Sequence, residues 1–130
     1  MKIDPKSHVP IYLQIAAGIR AAVAAGVYLP GETLPSLRAL AIDAQVNPNT
    51  VQKAYDALER EGLVFSRRGK GLFVSEEGAA SARDGARETV RRAFDAGIRA
   101  GEAAGMEPER IREVFEVAIR HTRDAGRLQP

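Results

Sequence analysis

Arg67, Arg68 and Lys70 fall together in the segment FSRRGKGLF, with no acidic residue among them. Like charges this close create a local field that attracts a polyanion. Gly69 and Gly71 suit a tight turn that would hold the charges at its tip. The same glycines spell G-x-G, but no helix follows, so they read as turn residues rather than a nucleotide loop. A second set, Asn49, Thr50 and Lys53, follows directly on Asn47-Pro48. Polar donors near the start of a helix can reach base edges in the major groove of B-DNA. Arg38 lies two residues after Ser36, where a guanidinium can grip a phosphate with two parallel hydrogen bonds and the serine can add a hydroxyl or simply cap a helix. The chemistry these residues share is non-covalent recognition of nucleic acid. Against it stands the plainer reading that each is a solvated surface group, and that a hairpin tip is polar for solubility alone.

Other chemistries find little support. The 130 residues include no cysteine and two histidines, His8 and His121. Thiolate-bound metal, disulfides and cysteine nucleophiles are therefore excluded, and a histidine metal site or triad is not expected. No paired carboxylates or nucleophile-base set stands out, so neither an enzyme nor a bound cofactor is expected. The net charge is +2 overall. Residues 1–76 carry nine Lys/Arg against seven Asp/Glu, and residues 77–130 carry ten of each, so the whole excess lies in the first part. No apolar run approaches the roughly 20 residues of a membrane span, and MKIDPKSHVP lacks the apolar core of a secretory signal. The expected location is the cytoplasm, in association with the nucleoid.

Something must hold these side chains in place. Tyr12, Ile15, Ile19 and Val23 recur at helical spacing between Pro10 and about Ala25, with Gly26 as a stop. Pro30-Gly31 marks a turn, and Pro35 pushes Leu34 toward an extended conformation. Ser36 then caps a short second helix whose Leu37, Leu40, Ala41 and Ala44 face inward. Asn47 caps a third, with Pro48 at its first position and Val51, Ala54, Tyr55 and Leu58 as its buried stripe. Its other face carries Asn49, Thr50, Gln52 and Lys53, and Gly62 ends it. LVFS and LFVS, joined by RRGKG, read as a hairpin that must pack on the helices, because two strands alone are marginal. Three helices and a hairpin in this order describe a winged helix-turn-helix domain over residues 1–76.

From residue 77 the composition shifts to Ala, Gly, Arg and Glu. EEGAASARDG reads as a linker that becomes helical near Ser81. A helix is expected from about Ala82 to Ala104, with small residues and Val90, Phe94 and Ile98 on its apolar side. Another runs from Pro108 to about Ala125, presenting Ile111, Val114, Phe115, Ala118 and Thr122. Two helices bury little by themselves. The simplest partner is a second copy of the chain, which makes Val90, Phe94, Ile98, Ile111, Val114, Phe115 and Ala118 the expected dimer contacts. The interleaved charges here, such as Arg110, Arg112, Glu113 and Glu116, read as exposed ion-paired surface.

PIYLQIAAGIRAAVAAGVYLPGETLPSLRALA, followed by VNPNTVQKAYDALEREGLVFSRRGKGLFV, resembles the DNA-binding domain of the GntR family of bacterial transcription regulators. The pairing of PIYLQI with VNPNTVQKAY, and the short helical C-terminal part, resemble its YtrA subfamily. The resemblance covers residues 9–75. It implies a mainly α-helical, homodimeric repressor whose winged domains bind double-stranded operator DNA with palindromic sequence. Residue by residue, it puts Arg38 on the phosphate backbone, Asn49, Thr50 and Lys53 in the major groove, and Arg67 to Gly69 in the wing. Members of this branch are often associated with transporter operons. Where the family commonly has a larger apolar residue late in the second helix, this chain has Ala44-Gln45. Residues 77–130 leave no room for the large ligand domains of other branches, so an effector pocket, if present, would be small or shared between subunits. The competing reading is a winged-helix protein-interaction module without DNA affinity.

Overall fold

The computed structural model describes residues 1–128; residues 129–130, the end of the expected dimerisation region, lie outside the described residues. The helices are α1 (Ile11–Ala24), α2 (Leu37–Ala44), α3 (Pro48–Arg60), α4 (Glu76–Ala103) and α5 (Pro108–Leu128), and the strands are β1 (Val64–Arg67) and β2 (Gly71–Val74). The chain forms two compact units, Met1–Arg87 and Glu88–Pro130.

In the first unit the apolar stripes converge as their spacing predicts. Ile15, Ile19 and Val23 of α1, Leu40 and Ala41 of α2, and Val51, Ala54, Tyr55 and Leu58 of α3 are all buried in one cluster. Local chemistry sets the helix ends. Pro10 is the N-cap of α1 rather than its first residue. The Ser36 hydroxyl accepts from Ala39 N–H at 3.1 Å to open α2, and the Asn47 side chain accepts from Asn49 N–H at 2.8 Å to open α3. Between them Gln45 closes α2 in the left-handed region, at φ 56° and ψ 50°. It is the one non-glycine residue with positive φ among those described. A bidentate pair from Arg20 to Glu61, 2.9 Å at each contact, joins α1 to the end of α3.

The hairpin is antiparallel, with Phe65 opposite Phe73 and Arg67 opposite Gly71. It does not stand alone. Leu34 N–H donates to Leu72 O and Val74 N–H donates to Glu32 O, each at 2.9 Å, and Thr33 bridges Phe73. The extended segment before α2 thus pairs with β2, which ties the wing to the entry of the helix-turn-helix.

One expectation is corrected. The stretch EEGAASARDG is not a linker but the opening turns of α4. Ser75 Oγ accepts from Gly78 N–H at 2.9 Å and donates to Gly62 O at 2.6 Å, which caps the helix onto the turn after α3. Ala79 and Ala82 are buried in the core cluster of the first unit. Small side chains look weakly apolar in sequence, yet they allow the closest approach. A Cβ on Gly78 would lie 2.5 Å from Leu63 Cα.

In the second unit the C-terminal part of α4 and α5 form a helical hairpin. Phe94 and Phe115 meet edge to face at 5.5 Å. Gly101 is buried, and a Cβ there would fall 2.8 Å from Ile111 Cδ1, so the glycine admits that side chain. At the turn, a groove of about 540 Å³ opens beside Ile98, Met106, Pro108 and Ile111, with Glu102, Glu107 and Arg112 at its edges.

Candidate nucleic-acid interface

The segment from Thr33 to Ser36 is where the surface is assembled. Its backbone pairs with β2, its end caps α2, and Pro35 O accepts a 2.7 Å hydrogen bond from Tyr55 Oη of α3. Wing, second helix and third helix are therefore referenced to one short stretch. Tyr55 is 3 % exposed. Burial, with a smaller contribution from Tyr28, pushes its hydroxyl well above the ordinary tyrosine pKa, so it remains a hydrogen-bond donor.

Around this stretch runs a groove of about 460 Å³. Leu34, Leu37, Tyr55 and Leu72 supply buried or half-buried walls, while Ser36, Gln52, Asp56, Glu59, Ser66, Arg67, Gly69 and Lys70 supply exposed groups. Of the residues singled out in sequence, Ser36, Arg67, Gly69 and Lys70 line it. Arg38, Asn47, Asn49, Thr50, Lys53 and Arg68 lie outside its lining.

Each of the latter has a defined setting. Arg38 is exposed in the first turn of α2 and forms no ion pair among the described residues. Asn47 and Asn49 are exposed at the start of α3, and Thr50 is half-buried there. Asn47 uses its side-chain oxygen as the cap, which leaves its amide nitrogen to donate outward. Ser36 likewise accepts from the backbone and keeps its own hydroxyl proton. Lys53 places Nζ 4.8 Å from the centre of the Tyr12 ring, so α1 steers this cation.

At the wing, Phe65 and Phe73 stack across the strands at 5.8 Å. The Arg67 guanidinium lies 5.6 Å from both rings, so its position is partly fixed before any ligand arrives. Arg68, Gly69 and Lys70 form the exposed tip, with Gly69 at φ 76° and Gly71 at φ 102° making the turn. Arg67, Arg68 and Lys70 have no carboxylate partner among the described residues.

Two features were not anticipated from the sequence. Gln52 Nε2 donates to Asp56 Oδ1 at 2.8 Å along α3, a pair that i,i+4 spacing could have signalled. The Ser66 hydroxyl donates to Glu59 Oε2 at 2.5 Å, joining β1 to α3; nothing local in the sequence marks that contact. Among the described residues no group of His, Asp and Glu side chains is arranged to hold a metal ion, and no helix is long and apolar enough to cross a membrane.

A helix-turn-helix carrying an unpaired cationic wing can be compared with known proteins. Residues 11–74 match the family described as bacterial regulatory proteins, gntR family. The chain is similar to the HTH-type transcriptional repressor YtrA of Bacillus subtilis, at 38% identity over 113 residues, covering 87% of each protein. Its structure is similar to a transcriptional regulator from Oenococcus oeni, with a TM-score of 0.70 at 32% identity, over 92% of this chain and 97% of that one. It is also similar to AraR(DBD) in complex with operator ORX1, with a TM-score of 0.53 at 30% identity, over 58% of this chain and 93% of that one. The chain belongs to the GntR family of bacterial transcription regulators, is of the YtrA type, and carries that family's DNA-binding winged helix-turn-helix.

Proposed function

We propose that the protein is a repressor that binds a palindromic operator as a homodimer, with residues 1–76 as the DNA-binding domain and residues 77–130 as the dimerisation region. The carrying observation is the groove beside α3 with the unpaired cations of the wing tip at its edge. A helix of this width enters a major groove with its N-terminal residues toward the base edges. Asn49, Thr50 and Lys53 then face the bases, together with the outward amide of Asn47. The positive end of the α2 dipole, the Ser36 hydroxyl and Arg38 face a phosphate. Arg67, Arg68, Gly69 and Lys70 lie along the backbone beside that groove.

The dimer reading draws support from the second unit. Val90, Phe94, Ile98, Val114 and Phe115 are between 41% and 51% exposed, too much apolar surface for a finished hairpin. A second copy would cover it with two-fold symmetry, together with Ile111 and Ala118, and would present two wings to a symmetric operator. On this reading the genes under control are the protein's own and those of a transporter operon, as the resemblance to the YtrA branch implies.

The test is binding of the purified protein to its own upstream DNA and to a random duplex at two salt concentrations, with solution mass measured alongside. The expected result is a dimer that prefers the upstream fragment, with affinity falling steeply as salt rises. A protein with no salt-sensitive DNA affinity would refute the proposal and favour a protein-docking role.

A further inference from the structure

On α3, Asn49, Gln52, Lys53 and Asp56 occupy the exposed face, opposite buried Val51, Ala54, Tyr55 and Leu58. Lys53 is drawn toward Tyr12, whereas Gln52 and Asp56 line the groove shared with Arg67 and Lys70. The contact between them fixes more than a distance. Gln52 Nε2 lies 2.8 Å from Asp56 Oδ1, and a carboxylate only accepts hydrogen bonds. The amide therefore turns its nitrogen toward Asp56, since the reverse would set two oxygens against each other. One N–H is used. The carbonyl oxygen and the second N–H remain, and in the major groove these two groups complement adenine, whose N6–H donates and whose N7 accepts.

Asp56 needs an explanation in its own right. A carboxylate beside a polyanion weakens association, and Asp56 has no cationic partner among the described residues. Glu59, the next acid along the helix, is engaged by the Ser66 hydroxyl. Holding a base-reading amide in one orientation gives Asp56 a use that offsets its repulsion.

We infer that Gln52 reads an adenine in each operator half-site, through an amide whose orientation is set by Asp56 as a positioning residue. The inference rests on the proposed placement of α3 in the major groove. Its test is selection of binding sites from a pool of random duplexes by the full-length protein, for the wild type, Gln52→Ala, Gln52→Glu and Asp56→Asn. In the wild-type consensus, one adenine per half-site should depend on Gln52. Gln52→Ala should lower the preference for that adenine by about 10- to 100-fold and leave the other positions unchanged. Gln52→Glu, now only an acceptor, should shift the preference there toward cytosine, whose N4 donates. Asp56→Asn should weaken the same adenine preference, and adding it to Gln52→Ala should change nothing further. If Gln52→Ala retains every base preference, or if Asp56→Asn alters a different position, the inference is overturned. If the wild type selects no consensus, the placement of α3 in the groove fails, and the inference with it.

Discussion

Gly78→Ala sets two effects of opposite sign against each other. Within a helix alanine is favoured over glycine by up to about 1 kcal/mol, less in the first turn where Gly78 lies, so the substitution should stabilise α4 if nothing else changed. At this position, however, the new Cβ would lie 2.5 Å from Leu63 Cα, 2.6 Å from Ser75 Oγ and 2.7 Å from Gly62 O. Two of these are backbone atoms of the turn between α3 and β1 and cannot rotate away. Overpacking against rigid neighbours costs about 1–3 kcal/mol. Displacing Ser75 also sacrifices its bonds to Gly78 N–H and Gly62 O, about 1 kcal/mol each. The clash therefore wins, with a net loss of about 2–4 kcal/mol.

Gly85→Ala on the same helix is the control, because a Cβ there meets nothing within 4 Å and should gain most of the propensity term, about 1 kcal/mol. Urea and thermal unfolding, followed by circular dichroism, measure both. A shift of about 4–8 °C per kcal/mol applies to a unit of this size, so Gly78→Ala should melt about 8–32 °C lower and Gly85→Ala about 4–8 °C higher. Should Gly78→Ala prove as stable as the wild type, or rise together with Gly85→Ala, the close docking of the first turn of α4 on the α3–β1 turn is wrong.

Tyr55→Phe should cost about 1–3 kcal/mol by leaving Pro35 O without its donor. Burial raises the Tyr55 pKa above its ordinary 10.0, so the folded state holds this proton more tightly than the unfolded chain. Wild-type stability is accordingly complete below that value and falls as pH rises past it, by up to about 1.4 kcal/mol per pH unit; urea unfolding at about pH 8 and about pH 11 should show this alkaline loss blunted in Tyr55→Phe. Gln45→Gly removes a left-handed side-chain conformation that costs about 1–2 kcal/mol, part of which glycine gives back as unfolded-state entropy; a gain of up to about 1 kcal/mol is expected in the same unfolding assay. Lys70→Ala should weaken binding to operator and random DNA alike and reduce the slope of log affinity against log salt by about 0.9. Phe115→Glu should halve the solution mass of the proposed dimer and lower helical content by no more than the second unit's share, the winged unit staying folded, as ultracentrifugation and circular dichroism would report.

The three helices of the first unit were legible because their signals are local. Asn47-Pro48 is cap and first residue in one dipeptide, and Gly62, which ends α3, has φ 82°. The wing was legible from its glycines and paired aromatic runs. What escaped was set by contacts distant in sequence or by residues with little character of their own. Ala79 and Ala82 carry no periodic bulk, so a stretch that is buried in the core cluster of the first unit looked like linker composition. Tyr55 read as a core residue by its spacing, but its bond to Pro35, twenty positions away, exists only once both helices are placed. Gln52 and Asp56 were visible as i,i+4 neighbours, yet which end of the amide faces the acid matters only when the groove beside it is known. Gln45 looked like a departure from an apolar pattern; in the structure it is the exposed, left-handed residue that closes α2.

The two units also differ in where their stability originates. In the first, Ile15, Ile19, Val51 and Leu58 are fully enclosed by residues of the same unit, so its folding requires nothing from outside. In the second, Gly101 and Ile111 fix the register of the hairpin and Phe94 meets Phe115 edge to face, yet both phenyl rings remain at least 41% exposed. Contacts inside the hairpin specify its geometry but leave about half of the surface of its large apolar residues in water, and isolated helices of this length are marginal. In the proposed dimer, a second copy that covers this surface would stabilise the hairpin by mass action. The hairpin should therefore melt at a temperature that rises with protein concentration, while the winged unit should melt independently of concentration. If the proposed dimer holds, that separation makes DNA affinity a function of assembly: when dilution opens the hairpin pair, each winged unit should stay folded and lose only the second half-site.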